Sequence, residues 1–116
     1  MKTKFLLITL MLTAFSNLNA QSYTDLWEDV NKDLENRLPQ SAETILNKIE
    51  QKAVEENNQK ELLKSYVYRF RIFELSEEEP LETSINFAVR KVANLQEPER
   101  AIFNIAIASL YETYMI

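Results

Sequence analysis

The chain has 116 residues with no Cys, His or Gly, and 13 Lys and Arg stand against 18 Asp and Glu for a net charge of -5. Those absences exclude thiol and Ser-His nucleophiles, zinc sites of the usual ligands and Gly-rich phosphate loops. The acidic balance argues against nucleic acid as a partner, because phosphate binding needs a basic surface.

The first twenty residues read as an address. Lys2 and Lys4 make a positive start, Phe5 to Phe15 is an apolar run broken only by threonines, and Ser16-Asn-Leu-Asn-Ala20 is a polar stretch ending in a small residue. This is the three-part layout of a secretory signal peptide over residues 1–20, with the cut between Ala20 and Gln21. The apolar run is about half of the roughly 20 residues a membrane-crossing helix needs. No membrane span is therefore expected once the signal is removed. The mature chain, residues 21–116, keeps 11 basic residues against 18 acidic ones, a net charge of -7. Its expected location is periplasmic or extracellular, and the lack of Cys means that its fold does not depend on disulfides.

Helix one is expected from Ser22, which can cap it, with Asp25 favouring the positive helix start. Tyr23, Leu26, Trp27, Val30 and Leu34 form its apolar stripe, and Trp27 on that stripe reads as core. Asp33 and Arg37, at i and i+4, are expected to make an exposed pair. Pro39 ends this helix and can occupy the first position of the next.

Pro39 to Leu75 reads as two helices. Ala42, Ile45, Leu46, Ile49 and Ala53 line one face of helix two, and Asn57-Asn58 interrupts the pattern because Asn tolerates the left-handed conformation. Helix three resumes with Leu62, Leu63, Tyr66, Phe70 and Phe73, and carries a second apolar set at Val67, Tyr68, Ile72 and Leu75. A helix apolar on two sides packs between neighbours, so helix three is expected to be central. Glu43, Lys48, Glu50, Lys52 and Lys64 read as a solvated polar face.

Ser76-Glu-Glu-Glu-Pro80 reads as a capping signal ahead of helix four, whose expected stripe is Leu81, Ile85, Ala88, Val89, Val92 and Leu95. The three glutamates lack the spacing and the Gly of a calcium loop. Pro98 is placed to start helix five, which is apolar nearly all round: Ile102, Ile105, Ala106 and Ser109 on one face, Phe103, Ile107, Leu110 and Tyr114 on a second, Ala108 and Met115 on a third. Such a helix wants cover on nearly every side, and neither a capping residue nor a basic last turn closes it. The expectation is that a partner covers it or that the natural chain continues.

The fold class expected is all-α, a five-helix array of antiparallel hairpins like a fragment of a tetratricopeptide solenoid, preceded by the signal peptide. Leu26-Trp27, Leu38-Pro39-Gln-Ser-Ala42, Ile45-Leu46-Asn-Lys-Ile49, Lys60-Glu-Leu-Leu-Lys64 and Tyr68-Arg69 follow Ala20-Gln21-Ser22-Tyr23 in order, and Pro98-Glu-Arg-Ala-Ile102 and Leu110-Tyr111 close the region. In that order and spacing the chain resembles the N-terminal helical region of the bacterial alpha-2-macroglobulin-like envelope proteins. The resemblance implies the opening part of a much longer protease-trapping protein. That family's β-sandwich arrays and reactive thioester have no counterpart here, so no thioester residue carries over.

The expected function is a non-enzymatic interaction or scaffold module with no cofactor, metal or catalytic residue, whose partner is a protein, or the rest of a longer chain, packed on helix five. The alternative is a free-standing periplasmic adaptor that binds a peptide or protein, with Tyr68, Tyr111 and Tyr114 as contacts. A carboxylate enzyme would need two acids held in an enclosed site. The acids here read as outward-facing or as parts of connectors.

Overall fold

Five α-helices account for most of residues 21–116, the part of the chain that the computed structural model describes, and no strand occurs among them. The expected signal peptide and the Ala20 side of its cut lie outside the described residues. The helices are α1 (Tyr23–Glu35), α2 (Pro39–Glu56), α3 (Gln59–Ser76), α4 (Pro80–Lys91) and α5 (Glu99–Met115), with a short 3-10 turn at Val92–Asn94. No described helix is long and apolar enough to cross a membrane.

The boundaries follow from local chemistry. Ser22 Oγ accepts the Asp25 amide at 3.2 Å, as its place before the first apolar residue implies. Pro39 and Pro80 sit in the first turn of α2 and α4, where a missing N–H costs nothing. Asn57 takes the left-handed conformation at φ 52°, while the Asn58 amide bonds back to the Ala53 carbonyl at 2.8 Å. The Asn58 side chain then caps α3 by accepting the Glu61 amide at 3.3 Å. One Asn ends a helix and the next begins one.

Two local expectations need correction. Arg37 does not extend α1 toward a pair with Asp33, because the helix ends at Glu35 and Arg37 turns left-handed at φ 57°. The Leu38 amide reaches the Asp33 carbonyl at 2.8 Å and the Arg37 amide reaches that of Leu34, the paired bonds of a Schellman closure. The Asp33 carboxylate instead accepts Ser41 Oγ at 2.7 Å. Ser76 is no cap for α4. It is the last residue of α3, and its hydroxyl bonds the Ile72 carbonyl one turn back.

Packing runs from each helix to the next, α1 on α2, α2 on α3, α3 on α4 and α4 on α5, with α3 also touching α5. Side-chain contacts link α3 to α1 as well, through Trp27 and Tyr68, so α3 is central as its two apolar sets imply. The core has two clusters. Leu26, Trp27, Val30, Leu34, Ala42, Leu46, Ile49 and Ile72 form the first, which joins α1, α2 and the end of α3. Ala53, Leu62, Tyr66, Phe87, Ala88, Leu95 and Phe103 form the second, where rings of α3, α4 and α5 meet.

In that second cluster the Phe70 and Phe103 rings stack at 6.0 Å, and Phe87 meets Tyr66 and Phe73 edge-on at 5.9 and 5.4 Å. Offset and edge-on pairs of this kind add roughly 0.5–1.5 kcal/mol beyond their buried area. Phe87 is absent from the stripe expected of α4, and Val89, which that stripe includes, is exposed. The reason is that α4 packs on both α3 and α5, which turns its buried arc toward Ser84 and Phe87. Val67 on α3 is exposed for a similar reason, since the partners of α3 leave that side open.

Candidate functional site

Three surfaces carry chemistry beyond packing. The first is a polar network centred on Arg69, which is only 7% exposed in the middle of α3. Its guanidinium donates to Glu43 Oε1 at 3.3 Å, to Asn47 Oδ1 and to Glu50 Oε2 at 3.4 Å, all on α2. Glu50 also accepts Lys91 Nζ of α4 at 3.3 Å, so one carboxylate links three helices. Glu43 and Glu50 are therefore more than the solvated face that the sequence reading makes of them. Periodicity could not find the network, because its partners lie on three different helices.

A second polar group surrounds Trp27. The indole Nε1–H donates to Glu61 Oε2 at 2.6 Å, and the ring meets Tyr68 at 4.5 Å between centroids. Lys64 Nζ lies 4.4 Å from the Trp27 centroid, so its charge rests on the ring face and the side chain is not simply solvated. Trp27 is a satisfied core residue, as its stripe position implies. Nearby, Tyr23 Oη donates to Glu56 Oε1 at 2.9 Å, and Lys52 pairs with Glu56 at 2.8 Å. Burial, then the bond to Glu56, pushes the Tyr23 phenol up to about 12, while Lys52 and then Tyr23 hold the Glu56 carboxyl below the usual carboxylate range.

The third surface is an open groove of 670 Å³ between α2 and the end of α4. Leu62 and Tyr66 of α3 are nearly fully buried at its base. Asn47, Glu50 and Gln51 line the α2 side, and Lys91, Asn94 and Gln96 the other. Asn94 Nδ2 donates to the Tyr66 hydroxyl at 3.4 Å, and the Gln96 amide donates to Gln59 Oε1 at 2.7 Å. Burial raises the Tyr66 phenol above its ordinary value. This groove falls in the size range of ligand sites but has no exposed aromatic ring in its lining.

The tyrosines expected to contact a partner are dispersed. Tyr68 packs on Trp27 and donates to Asn31 Oδ1 at 3.1 Å, beside α1. Tyr111 and Tyr114 stand exposed on α5, which packs on α3 and α4. On α5 the Phe103 face is the buried one, with Ile107 and Leu110 against the second cluster, and Ala106, expected with Ile102, belongs to this buried side instead. The Ile102 face is open, with Ile102 52% and Ile105 68% exposed. Among the described residues no group of three or more His, Cys, Asp or Glu side chains is arranged to hold a metal ion. Glu77, Glu78 and Glu79 are all exposed.

The chain matches no protein-family model, no curated protein and no solved structure.

Proposed function

We propose that this chain is a non-catalytic helical interaction module, similar to the N-terminal leader of a bacterial alpha-2-macroglobulin-like protease-trapping protein and exported to the periplasm or cell exterior. The observation that carries the reading is the open face of α5, where Ile102 and Ile105 lie in water beside Ala101 and Ala108. Exposed apolar residues gathered on one face of a soluble helix mark an interaction site. In this reading a protein, or further residues of a longer chain, packs there. The resemblance of the quoted segments supports the leader, and the short connectors support two antiparallel helix pairs, α2 with α3 and α4 with α5, in the manner of tetratricopeptide units.

The test is the intact mass of the species that the native gene secretes, together with the self-association of residues 21–116 alone. A far heavier protein, and a fragment that associates as its concentration rises, are the expected results. A mature product matching Gln21 to Ile116 that stays a dispersed monomer would remove the leader reading. It would favour the second reading, a free-standing adaptor, for which Tyr111 and Tyr114 offer half-exposed rings of the kind enriched at interfaces.

A further inference from the structure

The outward face of α5 differs in kind from that of α1, the helix at the other end of the array. On α1, Asp25, Glu28, Asp29 and Glu35 stand exposed, a polar surface that water covers well. On α5, Ile102 and Ile105 stand exposed among the small residues Ala101, Ala108 and Ser109. Ile102, Ile105, Ser109 and Glu112 recur there at alternating steps of three and four, the seam of two helices packed lengthwise. The occupant that fits this face is another helix lying along α5.

We infer, resting on the reading of this face as an interaction surface, that its partner is a second copy of the chain. The two α5 helices lie antiparallel about a two-fold axis at Ile105. In that register Ile102 of each copy is opposite Ala108 of the other and Ala101 is opposite Ser109, so large meets small and the helices approach closely. Charge supports the same register. Glu112 stands exposed in the last turn of α5, where its own helix dipole disfavours a carboxylate and no basic residue accompanies it. Antiparallel pairing puts Glu112 about 10 Å from the axis, level with Pro98 at the positive start of the other copy's α5. Sliding one copy by four residues would set that carboxylate against Ile102 instead. Head-to-tail stacking of α5 on α1 is disfavoured too, because the carboxylates of α1 would lose water against isoleucines. The face is smaller than the roughly 20–30 residues a side of a standard interface, so the pair is weak, and its symmetry closes it at two copies.

Sedimentation of the secreted form, residues 21–116, should show a mass that rises with concentration from one copy to two and then stops. The chain has no Cys, so introduced thiols report the register without background. Ile105→Cys should cross-link to itself on oxidation. Ala101→Cys and Ser109→Cys should each fail alone and cross-link to each other when mixed. Glu112→Lys, which suits its own helix end, should weaken pairing about tenfold while circular dichroism shows the fold intact. The inference is overturned if the mass stays at one copy, if it climbs past two, or if Ala101→Cys and Ser109→Cys each cross-link alone, as a parallel pair would. Pairing as strong in Glu112→Lys as in the native chain overturns it as well. The two readings can fail separately. If no dimer forms but Ile105→Cys is shielded from a thiol reagent in the intact secreted product, the second copy is wrong and the interaction surface stands. If Ile105→Cys reacts freely there and no dimer forms, both fall.

Discussion

Arg69 is a residue whose position in the chain gives little warning of its setting. It stands among apolar neighbours on α3, and its three partners on α2 are 19 to 26 positions away. Removing a buried charge leaves its partners unmatched, whereas a truncated surface pair loses little. Arg69→Ala is expected to lower unfolding stability by about 2–4 kcal/mol in urea titrations. Breaking the exposed Lys52–Glu56 pair should leave it nearly unchanged, since water and salt screen that pair. The Tyr23–Glu56 contact makes a pH statement with two signs. The Tyr23 phenol is raised from 10.0 to about 12, so its contribution is complete below pH 10 and fades as pH rises toward 12. Glu56 is lowered, so its contribution is present above the ordinary carboxylate range and fades as pH falls through its depressed value. An ultraviolet titration of phenolate should show a component near pH 12 that is lost in Tyr23→Phe. In Glu56→Gln that component should move down.

At the scale of the element, ends were more legible than faces. Ser22, Pro39, Asn57 and Pro80 each stop or start a helix for a reason confined to a few atoms, and each does so in the structure. Arg37 was not legible, since a left-handed turn is ordinarily marked by Gly or Asn. A left-handed non-Gly residue costs about 1–2 kcal/mol, part of which Gly returns as lost chain entropy. Arg37→Gly is therefore expected to stabilise the fold by about 0.5 kcal/mol, read as a higher urea midpoint. Faces failed where a helix has more than one neighbour. The periodic stripe of α4 includes Val89 and omits Phe87, while the double packing of α4 on α3 and α5 buries Phe87. Phe103 holds the other side of that aromatic cluster, fully buried against Tyr66 and Phe70. Phe103→Ala should cost about 3–5 kcal/mol and loosen α5, seen as faster amide exchange along that helix.

At the scale of the molecule, the apolar composition of α5 separates into a packed side and an open one. Ile105 is on the open side, so Ile105→Glu should change folding stability by less than about 0.5 kcal/mol. The same change should reduce the self-association expected of residues 21–116, measured by sedimentation. If association persists unchanged in Ile105→Glu, that face is not the docking surface. The groove between α2 and the end of α4 was not legible in the sequence at all. Asn47, Gln51, Lys91 and Asn94 sit on polar positions that solvation explains equally well one helix at a time.

What the sequence determined by itself is the helical class, the number of helices, most of their ends and the central place of α3, because periodicity and capping act within a turn or two of chain. What only the tertiary structure decided is which polar residues meet. The burial of Arg69, the bridge from Glu50 to Lys91 and the bond from Asn94 to the Tyr66 hydroxyl depend on the angles at which three helices pack. Those angles follow from the combined shapes of facing side chains, which no single helix's residue pattern contains.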